Sequence, residues 1–140
     1  MVRFVVASHA SLARGLVSAV ELILGLQRDF AVVELLPGET NTELCAKVDA
    51  TLGEANESDG TMVFCDLLGG SPFQAFAICS LGREDMRVVY GTNLGMLLEM
   101  TVLRNDGASL DEIASKVEEV GRAQIGVLVD QFDPLDDDDF

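Results

Sequence analysis

The sequence has no tryptophan, one tyrosine and one histidine, and its 9 basic residues face 24 acidic ones, a formal net charge of −15. That balance argues against nucleic acid as a partner, because phosphate backbones are bound through clustered Lys and Arg. An acidic surface steers basic proteins instead. No apolar run approaches the ~20 residues that span a bilayer, so no direct membrane insertion is expected. The apolar stretch at the N-terminus is too short for a signal peptide and has no cleavage pattern after it. Cys45, Cys65 and Cys79 share no metal-ligand spacing. They read as small core fillers in a reducing compartment, which makes the cytoplasm the expected location and leaves no metal to expect. Both the Gly-x-x-x-x-Gly-Lys loop and the dinucleotide fingerprint are missing, so neither ATP nor NAD is implied and no cofactor is expected.

What is present is an α/β alternation. Val2 to Ala7 form a short apolar, β-branched-rich run that reads as a buried strand and ends on Ser8-His9. Leu12, Leu16, Val20, Ile23 and Leu24 then recur at helical spacing, predicting a helix from about Ser11 to Leu26. Phe30 to Leu36 reads as strand two, closed by Pro37-Gly38. Thr40 with Glu43 makes a capping-box pattern for a helix through about Leu52. Glu54 to Gly60 reads as a polar loop. Thr61 to Cys65 is strand three, followed by Asp66 and an apolar helix from about Pro72 to Leu81. Met86 to Tyr90 is strand four, Asn93 can cap the next helix, and Ser109 with Glu112 opens a fifth helix ending near Gly121. Ile125 to Val129 reads as a last strand. Residues 1–130 are expected to form one domain, with 131–140 an acidic tail or the start of a linker.

Such alternation predicts a flavodoxin-like open parallel sheet, order 2-1-3-4, with helices on both faces. Strands one and three are then neighbours, which brings His9 and Asp66 together at their C-terminal ends. Ligands bind at that end of such sheets. A carboxylate accepting from one imidazole N–H leaves the other nitrogen free as a nucleophile. Gly69-Gly70-Ser71-Pro72 completes the constellation: Gly70 allows close backbone approach, Ser71 suits an N-cap and Pro72 suits the first helical turn. A helix start there offers free N–H groups and a positive dipole end to a phosphate. Arg14 is the cation nearest His9 in sequence and reads as a solvated helix-face residue.

Four stretches then carry a resemblance. They are Ala7-Ser8-His9-Ala10 with Gly15-Leu16; Leu36-Pro37-Gly38-Glu39-Thr40-Asn41; Cys65-Asp66-Leu67-Leu68-Gly69-Gly70-Ser71-Pro72-Phe73; and Gly91-Thr92-Asn93-Leu94-Gly95-Met96. In this order, over nearly the whole chain, they resemble the enzyme IIA domain of the mannose-type sugar phosphotransferase system. The resemblance implies a phosphotransferase in which His9 accepts phosphate from the phosphocarrier HPr and passes it to a IIB component. Asp66 would orient the ring, and Gly70, Ser71 and Pro72 would hold the phosphoryl group. It also implies a homodimer whose last, antiparallel strand, Ile125 to Val129, crosses to the partner's sheet. One departure is Ala10, where the family often has glycine. Two other readings are a regulatory module that takes phosphate without passing it on, and a receiver-like switch phosphorylated on Asp66. The receiver needs acids after strand one and a late lysine, yet Ser8-His9 occupies the first place and no lysine follows Lys116.

Overall fold

The computed structural model describes residues 1–54 and 59–129. Its first strand, β1 (Arg3–His9), is buried on both faces, so alternate side chains feed two separate cores. Around it lie β2 (Phe30–Leu35), β3 (Thr61–Cys65) and β4 (Met86–Val89), all parallel, in the order β2-β1-β3-β4. This is the expected topology. Phe4, Val6, Met62 and Phe64 face helices α1 (Leu12–Leu24), α4 (Leu94–Asn105) and α5 (Leu110–Ala123). On the other face, Val5, Ala7, Val63 and Cys65 pack on α2 (Asn41–Gly53) and α3 (Ser71–Ser80), mainly through Leu44, Val48 and Phe76. Each fully buried large side chain contributes about 1.5–3 kcal/mol, so the central strands are the anchored part of the molecule.

Local signals account for most helix starts. Thr40 Oγ1 accepts from Glu43 N–H at 3.2 Å, Asn93 Oδ1 from Met96 N–H at 2.9 Å, and Ser109 Oγ from Glu112 N–H at 3.2 Å. At α1 the cap comes from outside the helix. Ser11 makes no side-chain cap bond; Ser8, at the end of β1, accepts from Ala13 N–H at 2.7 Å. A strand end and a helix start are thereby joined by one hydroxyl.

Three expectations need correction. Ile125 to Val129 is not a strand of this chain's sheet: it pairs with nothing, and Ile125, Val127, Leu128 and Val129 are exposed. Among the described residues the free edges belong to β2 and β4, and Ile125 lines a groove beside β4 without pairing to it. Cys45 is no core filler; it is exposed on α2, while Cys65 is buried and Cys79 half-buried. At α3 the N-cap is Gly70, and Ser71 is the first helical residue without a side-chain cap bond. Gly69, at φ 78°, turns the chain one residue earlier than a serine cap requires. The acidic tail falls among residues 130–140, outside the described residues. No helix of the described residues is long and apolar enough to cross a membrane.

Candidate active site

His9 and Asp66 meet at the C-terminal ends of β1 and β3. His9 Nδ1 lies 2.9 Å from Asp66 Oδ2, and the same oxygen accepts the His9 backbone N–H at 2.9 Å. The carboxylate therefore fixes both the ring and the peptide that carries it. Because an ionised carboxylate only accepts, Nδ1 holds the proton and the Nε2 lone pair is left open. The His9 side chain is 43% exposed and that of Asp66 10%. Asp66 Oδ1 is buried and has no hydrogen-bond partner among the described residues. Apart from the His9 backbone N–H, no other donor among the described residues shares the carboxylate with the imidazole.

Each of the two residues is held from behind. Asp66 N–H donates to Ala7 O at 3.1 Å, and Thr92 donates twice to Cys65 O, from N–H at 3.1 Å and from Oγ1 at 2.8 Å. Burial first, and then the Asp66 charge, push the Cys65 thiol up to about 12, so it stays protonated beside the site and is no nucleophile. Ala10 N–H donates to Leu35 O at 2.8 Å, clamping the turn after His9 onto β2. Ala10 itself has φ 49°. That left-handed conformation costs a residue with a Cβ roughly 1–2 kcal/mol, which is the physical reason a glycine suits the position.

The α3 start closes the third side. Gly70 N–H donates to Leu67 O at 3.2 Å, and the first bond within the helix is Gln74 N–H to Gly70 O at 2.9 Å. The N–H groups of Ser71 and Phe73 precede that bond and have no partner inside the helix, while Pro72 sets the first turn. A Cβ built on Gly70 would lie 2.6 Å from His9 Cε1 and 3.2 Å from Nε2. Glycine is therefore required there for space: its backbone lies against the reactive edge of the ring. Gly70→Ala is expected to push the ring off its Asp66 bond and slow reaction at His9 about a hundredfold, since a shift near 1 Å has that effect. Unchanged single-turnover kinetics in that variant would remove Gly70 from the site.

Arg14 stands outside this group. It is exposed, and its Nε and Nη2 both donate to Glu34 Oε1, at 2.9 and 2.7 Å. Glu34, level with Ser8 on β2, was not read as special from the sequence, although an acid in an apolar strand was the available signal. Burial raises its pKa, but the Arg14 hydrogen bonds and charge, with the Lys47 charge, outweigh burial and leave it below its ordinary value of 4.5. A depressed carboxylate stabilises the fold above its unfolded pKa and loses that contribution as pH falls through its folded value. Urea midpoints measured from about pH 6 to about pH 3 should fall more steeply in the wild type than in Glu34→Gln, with the variant the weaker at the upper end. Parallel curves would contradict this.

Among the described residues, no cluster of three or more His, Cys, Asp or Glu side chains could hold a metal ion. Fold and site together define a flavodoxin-like domain built around an acid-oriented histidine at the head of its central strand. The chain belongs to the mannose-type enzyme IIA family of the phosphotransferase system: the profile described as PTS system fructose IIA component matches residues 3–118. It is 31% identical over 127 residues to the mannose-specific EIIAB component of Escherichia coli (strain K12), covering 91% of this chain and 39% of that relative. The chain thus spans well under half the length of that protein. The sorbose-specific EIIA component of Lacticaseibacillus casei is 31% identical over 102 residues, 73% of each chain. The mannose/sorbose-specific IIA subunit from Enterococcus faecalis superposes with a TM-score of 0.82 at 26% identity, covering 91% of this chain and 94% of that one.

Proposed function

We propose that this chain is a phosphoryl carrier of a sugar phosphotransferase system, taking the group from phosphorylated HPr onto His9 Nε2 and yielding it to a IIB component. The observation that carries this reading is the 2.9 Å Nδ1–Asp66 bond, which leaves Nε2 free beside the α3 start. In the transfer the Nε2 lone pair attacks phosphorus as the donor's P–N bond breaks. That bond's electron pair returns to the donor imidazole, and a new Nε2–P bond forms. Asp66 balances the positive charge the His9 ring then carries while Nδ1 keeps its proton. In this reading the Gly70 backbone, the Ser71 N–H and hydroxyl and the turn set by Pro72 would supply donors and dipole support to the phosphoryl oxygens. One P–N bond replaces another, so catalysis is chiefly positioning and charge stabilisation. Relatives named for mannose, sorbose and fructose make hexoses the proposed cargo of the system.

Mixing the protein with phosphoenolpyruvate, enzyme I and HPr tests the reading by intact mass. One acid-labile phosphoryl group is expected, lost again when a mannose-type IIB protein is added. No label, with folded protein and active donors, would overturn it; label that never leaves would favour the regulatory module.

A homodimer is part of the proposal. The apolar residues Ile125 to Val129 leave α5 exposed, while β4 has only one neighbour in the sheet. A groove of about 510 Å³ runs along that free edge, lined by Val89, Tyr90, Val117, Arg122 and Ile125 among others. Exchange of these segments between two copies would cover both. Sedimentation should report a dimer, and Val127→Glu should shift it to monomer; a monomeric wild type would end this part.

A further inference from the structure

We infer that the end of the sheet opposite His9 carries a second site, one that binds a small anion with a phosphate or carboxylate head. The feature that points there is Arg104, at the C-terminal end of α4. It is only 1% exposed, and its guanidinium carbon lies 4.9 Å from the ring centres of both Phe4 and Phe30. Its hydrogen bonds all end on neutral oxygens: Nε and Nη2 reach Asn105 Oδ1 at 3.2 and 3.1 Å, Nη2 reaches Gln27 Oε1 at 3.1 Å, and Nη1 reaches Asp29 O at 3.2 Å. No carboxylate forms an ion pair with it among the described residues. The chain has 24 acids for 9 bases, yet its most deeply buried cation makes no direct ion pair among the described residues, and the Asp29 charge reaches it only from a distance. Amide and carbonyl oxygens satisfy the N–H groups and leave the positive charge incompletely balanced, a costly state that a bound anion would relieve.

A cleft of about 470 Å³ opens beside this side chain. Met1, Leu24 and the largely exposed Leu26 give it apolar surface, and Gln27, Arg28, Arg104 and Asn105 line the rest. Arg28 is exposed and has no ion-pair partner among the described residues. The other charges at this end are already placed: the Met1 ammonium is bonded to Asp59 at 2.5 Å, and Asp29 offers its carbonyl rather than its carboxylate to Arg104. Two arginines without direct ion pairs among the described residues, one held between aromatic rings, therefore line one cleft. Guanidinium groups recognise phosphate and carboxylate heads, and low-dielectric walls strengthen that attraction. The amides of Gln27 and Asn105 add donors and acceptors for a hydroxylated or carbonyl-bearing body. Nothing in the His9 chemistry uses these residues, so the two readings stand or fall apart.

Inorganic phosphate is the probe, titrated at constant ionic strength made up with sodium chloride. Proton–nitrogen correlation spectra of the wild type should show a saturable shift of the Arg104 Nε–H and of the amides of residues 26–29 and 104–106. Shifts at His9 and at residues 66–73 report the phosphate cradle separately. Arg28→Gln should weaken the first set about tenfold, as expected for loss of one charge-assisted contact, and leave the second unchanged. Shifts at Arg104 that merely follow chloride, or an affinity there indifferent to Arg28→Gln, would overturn the site and leave Arg104 a structural side chain.

Discussion

His9→Ala is expected to take up no phosphoryl group at all from phosphorylated HPr while remaining folded. The imidazole is the only one in the chain, and none of the neighbouring groups replaces it as a nucleophile: the Cys65 thiol is pushed up to about 12, and Asp66 has one oxygen tied to His9 and the other buried. Removal of a side chain that is 43% exposed costs little packing. Asp66 loses the ring N–H but keeps the backbone N–H at residue 9, so the loss of stability should be about 1 kcal/mol. Intact mass after incubation with enzyme I, HPr and phosphoenolpyruvate reads the first part, and the thermal midpoint reads the second. Stoichiometric label on the folded variant would move the acceptor elsewhere, Asp66 being the first place to look.

Asp66→Asn should be the next most damaging change, slowing phosphoryl uptake by about 10³–10⁴-fold, the scale seen when a carboxylate behind a reactive imidazole is made neutral. The amide is the same size and its oxygen can still accept from His9, so the fold should survive. Two properties are lost. The amide carries no charge to balance the ring as the Nε2–P bond forms, and its NH₂ end can face Nδ1 and select the tautomer in which that nitrogen is the free one. Single-turnover rates over a range of HPr concentrations separate the effects: a rate constant that falls with unchanged half-saturation marks lost charge stabilisation rather than lost docking. A drop of less than about tenfold would reduce Asp66 to a structural contact.

The site was legible wherever its geometry follows from strand order. Alternating strands and helices dictate a parallel sheet, and adjacency of β1 and β3 brings residues 9 and 66 together from 57 positions apart. Caps at Thr40, Asn93 and Ser109 were legible because each depends on a few consecutive residues. What escaped depends on contacts that no local pattern encodes. The α3 cap moved to Gly70 because the left-handed Gly69 sets the turn, overriding serine's preference. Ser8 capping α1, Thr92 bracing Cys65 and Gly70 pressed against the imidazole all join segments distant in the chain or in the helix register. Ile125 to Val129 has the composition of a strand but forms no ladder within the chain, and composition alone does not say which edge a strand pairs with. Arg104 looked like any helical arginine; only the fold places two phenylalanine rings around it.

The bond between His9 Nδ1 and Asp66 also sets a direction of travel. With one nitrogen tied to the sheet, the other points along a single axis outward, and in the proposed in-line transfer phosphorus would arrive and depart on that axis. Leu12 at the start of α1 and Leu67 and Leu68 in the turn after β3 are exposed, so apolar side chains flank the site. In the proposed transfer a donor would have to present its own reactive nitrogen on a convex knob, with an apolar collar to meet those side chains. Donor and recipient would share one approach path and so would take turns. The histidine would then serve as a single-berth dock, its throughput set by how quickly one visitor leaves before the next arrives.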